Sequence, residues 1–127
     1  MAQAHPEVID PQHPLVVRLR AICLAYPESV EIESWGRPTF RAGKRVFLLV
    51  SSSMDRPHSI VFKPDPDDRP ALEQDARFFH PPYWGGKNGF LAIDIDAKDT
   101  DWNEVAELID ASYRQVALVR QLKALDA

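Results

Sequence analysis

The stretch from residue 30 to residue 63, VEIESWGRPTFRAGKRVFLLVSSSMDRPHSIVFK, decides the fold that the sequence predicts. Its first six residues alternate apolar and polar side chains, as a half-buried strand does. RPTFR predicts a second strand, and Ala-Gly-Lys at 42–44 is typical of a hairpin turn. The apolar run VFLLV at 46–50 predicts a central strand, and SIVFK at 59–63 predicts a fourth. Consecutive short strands joined by turns favour an antiparallel sheet.

Helices are predicted on both sides of this stretch. Before it, apolar residues recur at helical spacing from Leu15 to Tyr26, and Pro27 ends the pattern. After it, the aspartates of PDPDD favour the start of a second helix over residues 71–79, ALEQDARFF. Residues 90–96, FLAIDID, then predict a fifth strand with one wet side.

The last predicted element is one long helix. Asp101 and Glu104 have the spacing of a capping box, and an apolar stripe continues from Val105 to Leu122. The hydroxyl of Ser112, on that stripe, is expected to bond to a carbonyl one turn earlier. The order α-β-β-β-β-α-β-α predicts a two-layer α+β sandwich, with about five antiparallel strands and helices on one face.

Length and composition indicate one domain over residues 1–127, of which 45% are hydrophobic. Residues 1–12 are polar and interrupted by proline, and are expected to form a loose arm. No apolar run approaches the roughly 18 residues that a membrane helix needs, and no signal peptide is recognisable, so a cytoplasmic protein is expected. Cys23 is the only cysteine, so an internal disulfide is excluded. We expect Cys23 to be a core residue.

Charge is distributed unevenly along the chain. The 15 basic and 19 acidic residues give a formal net charge of −4 at pH 7. Between residues 34 and 63, however, six basic residues face one acidic residue, a local balance of +5. The overall acidity disfavours broad nucleic-acid binding, whereas one basic face is still compatible with it.

Short motifs follow one another between about residues 15 and 119: Trp35-Gly36, Pro38, Phe40-Arg41, Gly43-Lys44, Phe47, Lys63, Pro82-Tyr83, Gly86-Lys87 and Ser112-Tyr113. In this order they resemble the MmcQ/YjbR-like family of small bacterial proteins. The resemblance implies a CyaY-like, frataxin-type two-layer α+β fold, in agreement with the predicted order of elements. It also implies the label "DNA-binding" that the family carries.

Basic residues of the middle third are the candidate binding residues. Arg37 and Arg41 lie four apart in an extended segment and so point to the same side, with Lys44 and Arg45 at the adjoining turn. Two lysines, Lys63 and Lys87, complete the predicted anion-binding set. Three aromatic residues are predicted to stack on bases or to line a pocket: Trp35, Tyr83 and Trp84. In the alternative interpretation these are solvated hairpin charges that discourage edge pairing.

The stretch at 80–89, HPPYWGGKNG, has two interpretations as well. Gly85 and Gly86 allow positive φ, so exposed N–H groups beside Lys87 could form an anion cradle. Alternatively, the prolines and aromatic residues form a rigid connector that caps the core. A phosphate-binding P-loop is excluded, because Pro81 replaces its first glycine and Asn88 follows the lysine.

Metal binding and catalysis have little support in the sequence. Asp94 and Asp96 could jointly hold a weakly bound divalent ion, but a wet strand face is the simpler account, and the acidic run lacks the ligand pattern of an EF-hand. His80 lies beside aromatic residues, yet no serine or cysteine nucleophile with a partner is identifiable. No cofactor, metal site or catalytic residue is therefore predicted.

The sequence thus predicts a non-enzymatic binding protein whose ligand is DNA or another polyanion, held by the basic hairpin face. The alternative is a small-molecule or protein-partner module that uses an aromatic-lined cleft on the open sheet face. Clustered cations would favour the first function, and a deep pocket near Trp35 and Tyr83 would favour the second.

Overall fold

The computed structural model describes residues 7–82, 88–95 and 99–127. Helices and strands follow one another in this part of the chain in the following order: α1 (Pro14–Cys23), β1 (Ser29–Ser34), β2 (Arg37–Ala42), β3 (Arg45–Val50), β4 (Ser59–Phe62), α2 (Arg69–Gln74), β5 (Phe78–Phe79), β6 (Leu91–Asp94), α3 (Trp102–Val116) and α4 (Val119–Leu125). None of the helices in these ranges is both long and apolar enough to cross a bilayer.

The strands form one antiparallel sheet in the order β1-β2-β3-β4-β6-β5. The first four strands are neighbours in chain order because two-residue loops and one longer loop connect them. The predicted α+β class and antiparallel sheet are confirmed. The sheet of the described residues has six strands rather than about five, since β5 adds a short edge strand.

The main core lies between one face of the sheet and helices α1 and α3. Val16 and Leu19 from α1 and Ile109 from α3 are completely buried there, as is Cys23, whose pKa is raised by desolvation. Tyr113 packs edge-to-face on Phe47, with ring centroids 5.2 Å apart, and its hydroxyl donates to the carbonyl of Pro27. Burial of these side chains provides most of the driving force for the two-layer packing.

A bulge in β3 explains why its sequence is a continuous apolar run. Phe40 pairs with Leu48, whereas the next residue, Arg41, pairs with Val46, so Phe47 is the extra residue. Phe47 and Leu48 consequently both join the core under the helices. Val46 and Leu49 belong instead to a small apolar cluster on the opposite face of the sheet, with Val61, Ala92, Phe79 and Phe90.

The second helix is shorter than the sequence predicts. The expected helix over residues 71–79 is wrong in its second half, because α2 ends at Gln74 and Phe78–Phe79 forms strand β5. Phe78 pairs with Ile93 of β6 and is 7% exposed, so its burial in the sheet outweighs local helix propensity.

The last predicted helix is interrupted. Ala117 and Leu118 have extended backbones, which end α3 and begin α4. The buried side chain of Gln121 accepts a hydrogen bond from the N–H of Leu118 at 2.7 Å and so stabilises the start of α4. At the start of α3 the carboxylate of Asp101 accepts from the N–H groups of Asn103 and Glu104, as the predicted capping box requires. The second half of the box is not formed, because the carboxylate of Glu104 bonds to Arg77 instead.

The N-terminal arm is not loose where it is described. The N–H of Val8 donates to the carbonyl of Gly36 at 2.8 Å, and Ile9 is 6% exposed within the main core. Residues 7–9 are therefore attached to the β1–β2 turn, and residues 1–6 lie outside the described ranges.

Candidate functional site

The arginines of β2 project from the sheet face that the helices do not cover. Arg37 pairs with Ser34, Thr39 with Ile32, and Arg41 with Val30, so their side chains share one face. Strand β1 presents apolar side chains on this face, with Val30 and Ile32 each 41% exposed. The predicted common orientation of Arg37 and Arg41 agrees with this register.

Within the described ranges, Arg41 bonds only to neutral hydroxyl groups. Its Nε donates to Thr39 Oγ1 at 3.3 Å, and its Nη2 donates to Ser34 Oγ at 3.1 Å. Thr39 in turn donates its own proton to the carbonyl of Ile32 at 2.6 Å. The side chain of Arg41 therefore extends along the strand toward Ser34, which pairs with Arg37.

Arg37 has no polar partner among the described residues. Its Nε is buried and makes no hydrogen bond, and desolvation lowers the pKa of its guanidinium. A guanidinium carries five N–H donors, and a shielded donor without an acceptor is costly. The fold therefore removes part of the hydration of Arg37, but no described carboxylate neutralises its charge.

The β1–β2 turn places Trp35 beside these two arginines. Trp35 and Gly36 form the two-residue loop between the paired residues Ser34 and Arg37, with φ of +55° and +79°. Positive φ at both positions is characteristic of a type I′ turn, which matches the twist of the strands. The indole of Trp35 is 45% exposed.

The β2–β3 turn carries the second group of candidate cations. Gly43 occupies the first loop position with φ of +67°, and Lys44 and Arg45 follow it. Both cations line a surface depression against α4, next to Arg120 and Gln121. The predicted hairpin turn at 42–44 is confirmed.

Arg45 also lines a neighbouring depression of about 460 Å³ together with Lys63. Its other lining residues include Asn88, Phe90 and Val116, the last residue of α3. Cations at this position also interact favourably with the negative end of the helix dipole. The loop glycine Gly89, with φ of +88°, lies close to the side chain of Lys63 and to that of Arg69.

Lys63 is held in place by Ser112. The backbone N–H of Lys63 donates to Ser112 Oγ at 2.8 Å, and the same hydroxyl donates to the carbonyl of Phe47 at 2.6 Å. The expectation that Ser112 would bond within its own helix is therefore wrong. The hydroxyl bonds instead to two backbone groups of the sheet, because α3 packs directly on β3 and β4.

The arginines outside the candidate set are mostly ion-paired. The pairs are Arg20 with Glu31, Arg56 with Asp94, Arg69 with Glu73, Arg77 with Asp75 and Glu104, Arg114 with Asp110 and Asp126, and Arg120 with Glu28. Arg18 lies 4.1 Å from the ring centroid of Trp102.

In contrast, no carboxylate of the described residues forms an ion pair with any of five candidate cations. We call them the unpaired basic set: Arg37, Arg41, Lys44, Arg45 and Lys63.

This set is divided into two groups, one gathered near Ser34 at the start of β2 and the other at the β2–β3 turn. The arginine group, Arg37 and Arg41, meets at Ser34, and the turn group contains Lys44, Arg45 and Lys63. Six strand residues span about 17 Å from Arg37 to Ala42. Trp35 accompanies the arginine group only. The other predicted members, Tyr83, Trp84 and Lys87, lie outside the described residues.

Two contributions to this surface were missed by the sequence interpretation. Ser34 joins the arginine group only because the two-residue turn pairs it with Arg37. Arg69 reaches the loop at Gly89 from the start of α2. The residue types gave no signal for either, and only the register of β1 and β2 would have identified Ser34.

The remaining candidate residues have other partners. His80 is exposed, with its Nε2 3.2 Å from the carboxylate of Glu73, and it lines none of the depressions described here. Asp94 is paired with Arg56, and Asp96 lies outside the described ranges. A cavity of about 440 Å³ near Asp94 is lined mainly by charged and polar residues, and Trp35 is not among them.

Comparison with known proteins identifies the family and the fold. A crystal structure of the Deinococcus radiodurans protein DR2400, described as a DUF419 domain, superimposes with a TM-score of 0.67 at 24% sequence identity, covering 91% of each chain. No curated protein matches the sequence. The YjbR family model matches residues 24–115, which include every described member of the unpaired basic set. This chain therefore belongs to the YjbR family.

Proposed function

We propose that this protein binds nucleic acid, or a polyanion of similar charge density, through the unpaired basic set. The observation that carries the proposal is that none of these five cations is ion-paired with a carboxylate of the described residues, whereas six of the seven other arginines are. It is notable because the whole chain has a net charge of −4.

The difference in pairing has a direct electrostatic consequence. An arginine already paired with a carboxylate contributes little net field, whereas an unpaired one can neutralise a phosphate and release its condensed counterions. Strand β2, along which the two groups lie, spans about 17 Å, which is the length of several nucleotides of one strand. Each group would hold phosphates at one end of a bound segment.

The chemical roles follow from position. Arg37, Arg41, Lys44, Arg45 and Lys63 would contact phosphates, and Trp35 would stack on a base. Lys87 would add a phosphate contact, and Tyr83 or Trp84 a second stacking surface. No base-specific contact is proposed, so affinity is expected to depend on salt more than on sequence.

The experiment is a fluorescence anisotropy titration of labelled single-stranded and duplex oligonucleotides at low ionic strength and again at about 0.2 M salt. The double variant Arg41→Ala/Lys44→Ala should bind at least tenfold more weakly, since it removes one cation from each group. The matched control is Arg77→Ala/Arg114→Ala, which removes two paired arginines. Undetectable binding at low salt, or equal losses in the two double variants, would contradict the proposal.

A partner protein is the second candidate, and one observation favours it. Val30 and Ile32 expose apolar surface on the sheet face that carries the arginine group, and Trp35 is exposed in the adjoining turn. Exposed apolar side chains next to cations suit an acidic partner as well as a stacked base. If oligonucleotides fail to bind, the same variants therefore test binding of acidic peptides.

A further inference from the structure

We propose that Ser34, Arg37 and Arg41 form a discrete site for a single phosphate group. This inference rests on the proposed polyanion binding and states where one phosphate is held and by which atoms. The turn group is then a diffuse electrostatic surface, and the arginine group is a site with defined geometry.

Hydrogen-bond donors converge at Ser34. Arg41 reaches Ser34 Oγ with one N–H of Nη2 and uses its Nε for Thr39. Three of the five N–H groups of Arg41 therefore have no acceptor among the described residues. Because Ser34 Oγ accepts this bond, its own proton is available to donate to a ligand.

Arg37 supplies the second guanidinium. It is directly opposite Ser34 in the register of β1 and β2, on the same sheet face as Arg41. Its Nε is shielded from solvent and has no acceptor, so it has lost hydration without gaining a hydrogen bond. A bound anion would provide the missing acceptor, and a partly desolvated cation binds an anion more strongly than an exposed one does.

The donor set indicates a phosphate group in particular. Two guanidinium groups and one hydroxyl supply only donors and a charge of up to +2, which matches the several acceptor oxygens of a phosphate. The exposed ring of Trp35, in the adjoining turn, favours a phosphate that is attached to a base. The phosphate could belong to a free mononucleotide or to a nucleic-acid strand, and the two sources share this chemistry.

The turn group lacks these features. Lys44 and Arg45 are exposed, and no hydroxyl group holds either side chain in the described residues. They attract phosphates without fixing the position of one. A lone phosphate should therefore bind selectively at the arginine group. Both groups should contribute to the affinity for a nucleic-acid strand.

The test is a titration of the ¹⁵N-labelled full chain with inorganic phosphate and with adenosine monophosphate, followed through the arginine Nε–Hε resonances. Saturable shifts are expected for Arg37 and Arg41, with adenosine monophosphate binding more tightly than inorganic phosphate. Arg37→Gln and Arg41→Gln should each raise the dissociation constant by about tenfold or more. Arg45→Gln is the matched control and should change it less than twofold.

A conservative variant protects the test against misfolding. Arg37→Lys retains the charge but not the planar fork, so it should weaken phosphate binding while its amide spectrum stays that of the parent. Absence of saturable shifts, or an equal effect of Arg45→Gln, overturns the phosphate site.

Oligonucleotide titrations separate this proposal from the function on which it rests. If oligonucleotides bind and lone phosphate does not, only the discrete site fails. If phosphate and the mononucleotide bind and no oligonucleotide does, the polyanion function fails and the site takes free nucleotides.

Discussion

The hydroxyl of Ser112 accepts a hydrogen bond of 2.8 Å from the backbone N–H of Lys63, the residue that follows β4. It also donates to the carbonyl of Phe47 near the start of β3. Because Ser112 is completely buried on α3, this one side chain fixes two adjacent strand ends to the helix layer. It thereby also determines where the cation of Lys63 leaves the sheet.

We expect Ser112→Ala to lower the free energy of unfolding by about 1–3 kcal/mol, because the buried carbonyl of Phe47 and the part-buried N–H of Lys63 would each lose a partner. Urea denaturation followed by circular dichroism measures this loss. Ser29→Ala is a suitable control, since the buried hydroxyl of Ser29 has no hydrogen-bond partner; its effect should stay within about 0.5 kcal/mol. Equal losses in the two variants would show that the hydroxyl of Ser112 contributes no specific stabilisation.

Trp35 is predicted to contribute to binding of single strands in particular. Trp35→Ala should weaken binding of a single-stranded oligonucleotide by about 1–3 kcal/mol, the usual value of one stacked base. Duplex binding should change much less, because paired bases are already stacked on one another. Met54→Ala is the control, since Met54 is a still more exposed apolar side chain, at 70%. The same anisotropy titrations provide the measurement, and an equal loss for single strands and duplex would exclude stacking.

The two hairpins could be predicted from the sequence because their determinants are local. Gly36 and Gly43 supply the positive φ that two-residue loops need, and alternation then places Arg37 and Arg41 on one face. The extent of the helices could not be predicted in the same way. Phe78 is predicted to be helical but pairs with Ile93 in the sheet, and this contact exists only in the folded chain.

The pairing state of the cations also depends on contacts between distant parts of the chain. Arg120 bonds to Glu28, 92 residues away in sequence, and Arg77 bonds to Glu104. Composition shows a basic middle third, but only the tertiary structure distinguishes a neutralised arginine such as Arg56 from an unpaired one such as Arg41. For the same reason, sequence could list the candidate residues and could not divide them into two groups.

The loop that carries Lys44 should depend on the backbone freedom of Gly43. Gly43 has φ of +67°, and a Cβ added there would lie 3.4 Å from Gln121 Nε2, so the cost of a side chain is mainly conformational. We expect Gly43→Ala to destabilise the protein by about 1–2 kcal/mol and Gly43→Asn by less, because asparagine tolerates this conformation better than alanine. Thermal unfolding of the two variants gives the comparison. The prediction is contradicted if asparagine is the more destabilising residue.

Salt dependence measures the contribution of the turn group. If Lys44, Arg45 and Lys63 each neutralise one phosphate, replacing any one with glutamine should reduce the slope of log K against log salt by about 0.7–0.9. The slope is obtained from anisotropy titrations at several salt concentrations. Arg114→Gln should leave it unchanged, because Arg114 is already paired with Asp110 and Asp126. Unchanged slopes in all three turn-group variants would place the phosphates elsewhere.

The attachment of α4 to the sheet is predicted to weaken in acid through Glu28. The carboxylate of Glu28 accepts hydrogen bonds from Arg120 and Gln121, which lower its pKa below the ordinary value of 4.5. Since the folded pKa is depressed, this contribution to stability is fully present above the unfolded pKa. It is lost as the pH falls below about 4.5 and through the folded pKa.

Glu28→Gln tests this linkage, because glutamine cannot titrate and forms no ion pair with Arg120. The variant should have a lower unfolding temperature than the parent at neutral pH, and the difference should shrink as the pH falls from about 6 to about 3. Other carboxylates with lowered pKa, such as Asp75 and Asp126, titrate in both proteins and cancel in the comparison. Two parallel curves would mean that the pairing of Glu28 with Arg120 adds nothing to the stability of the fold.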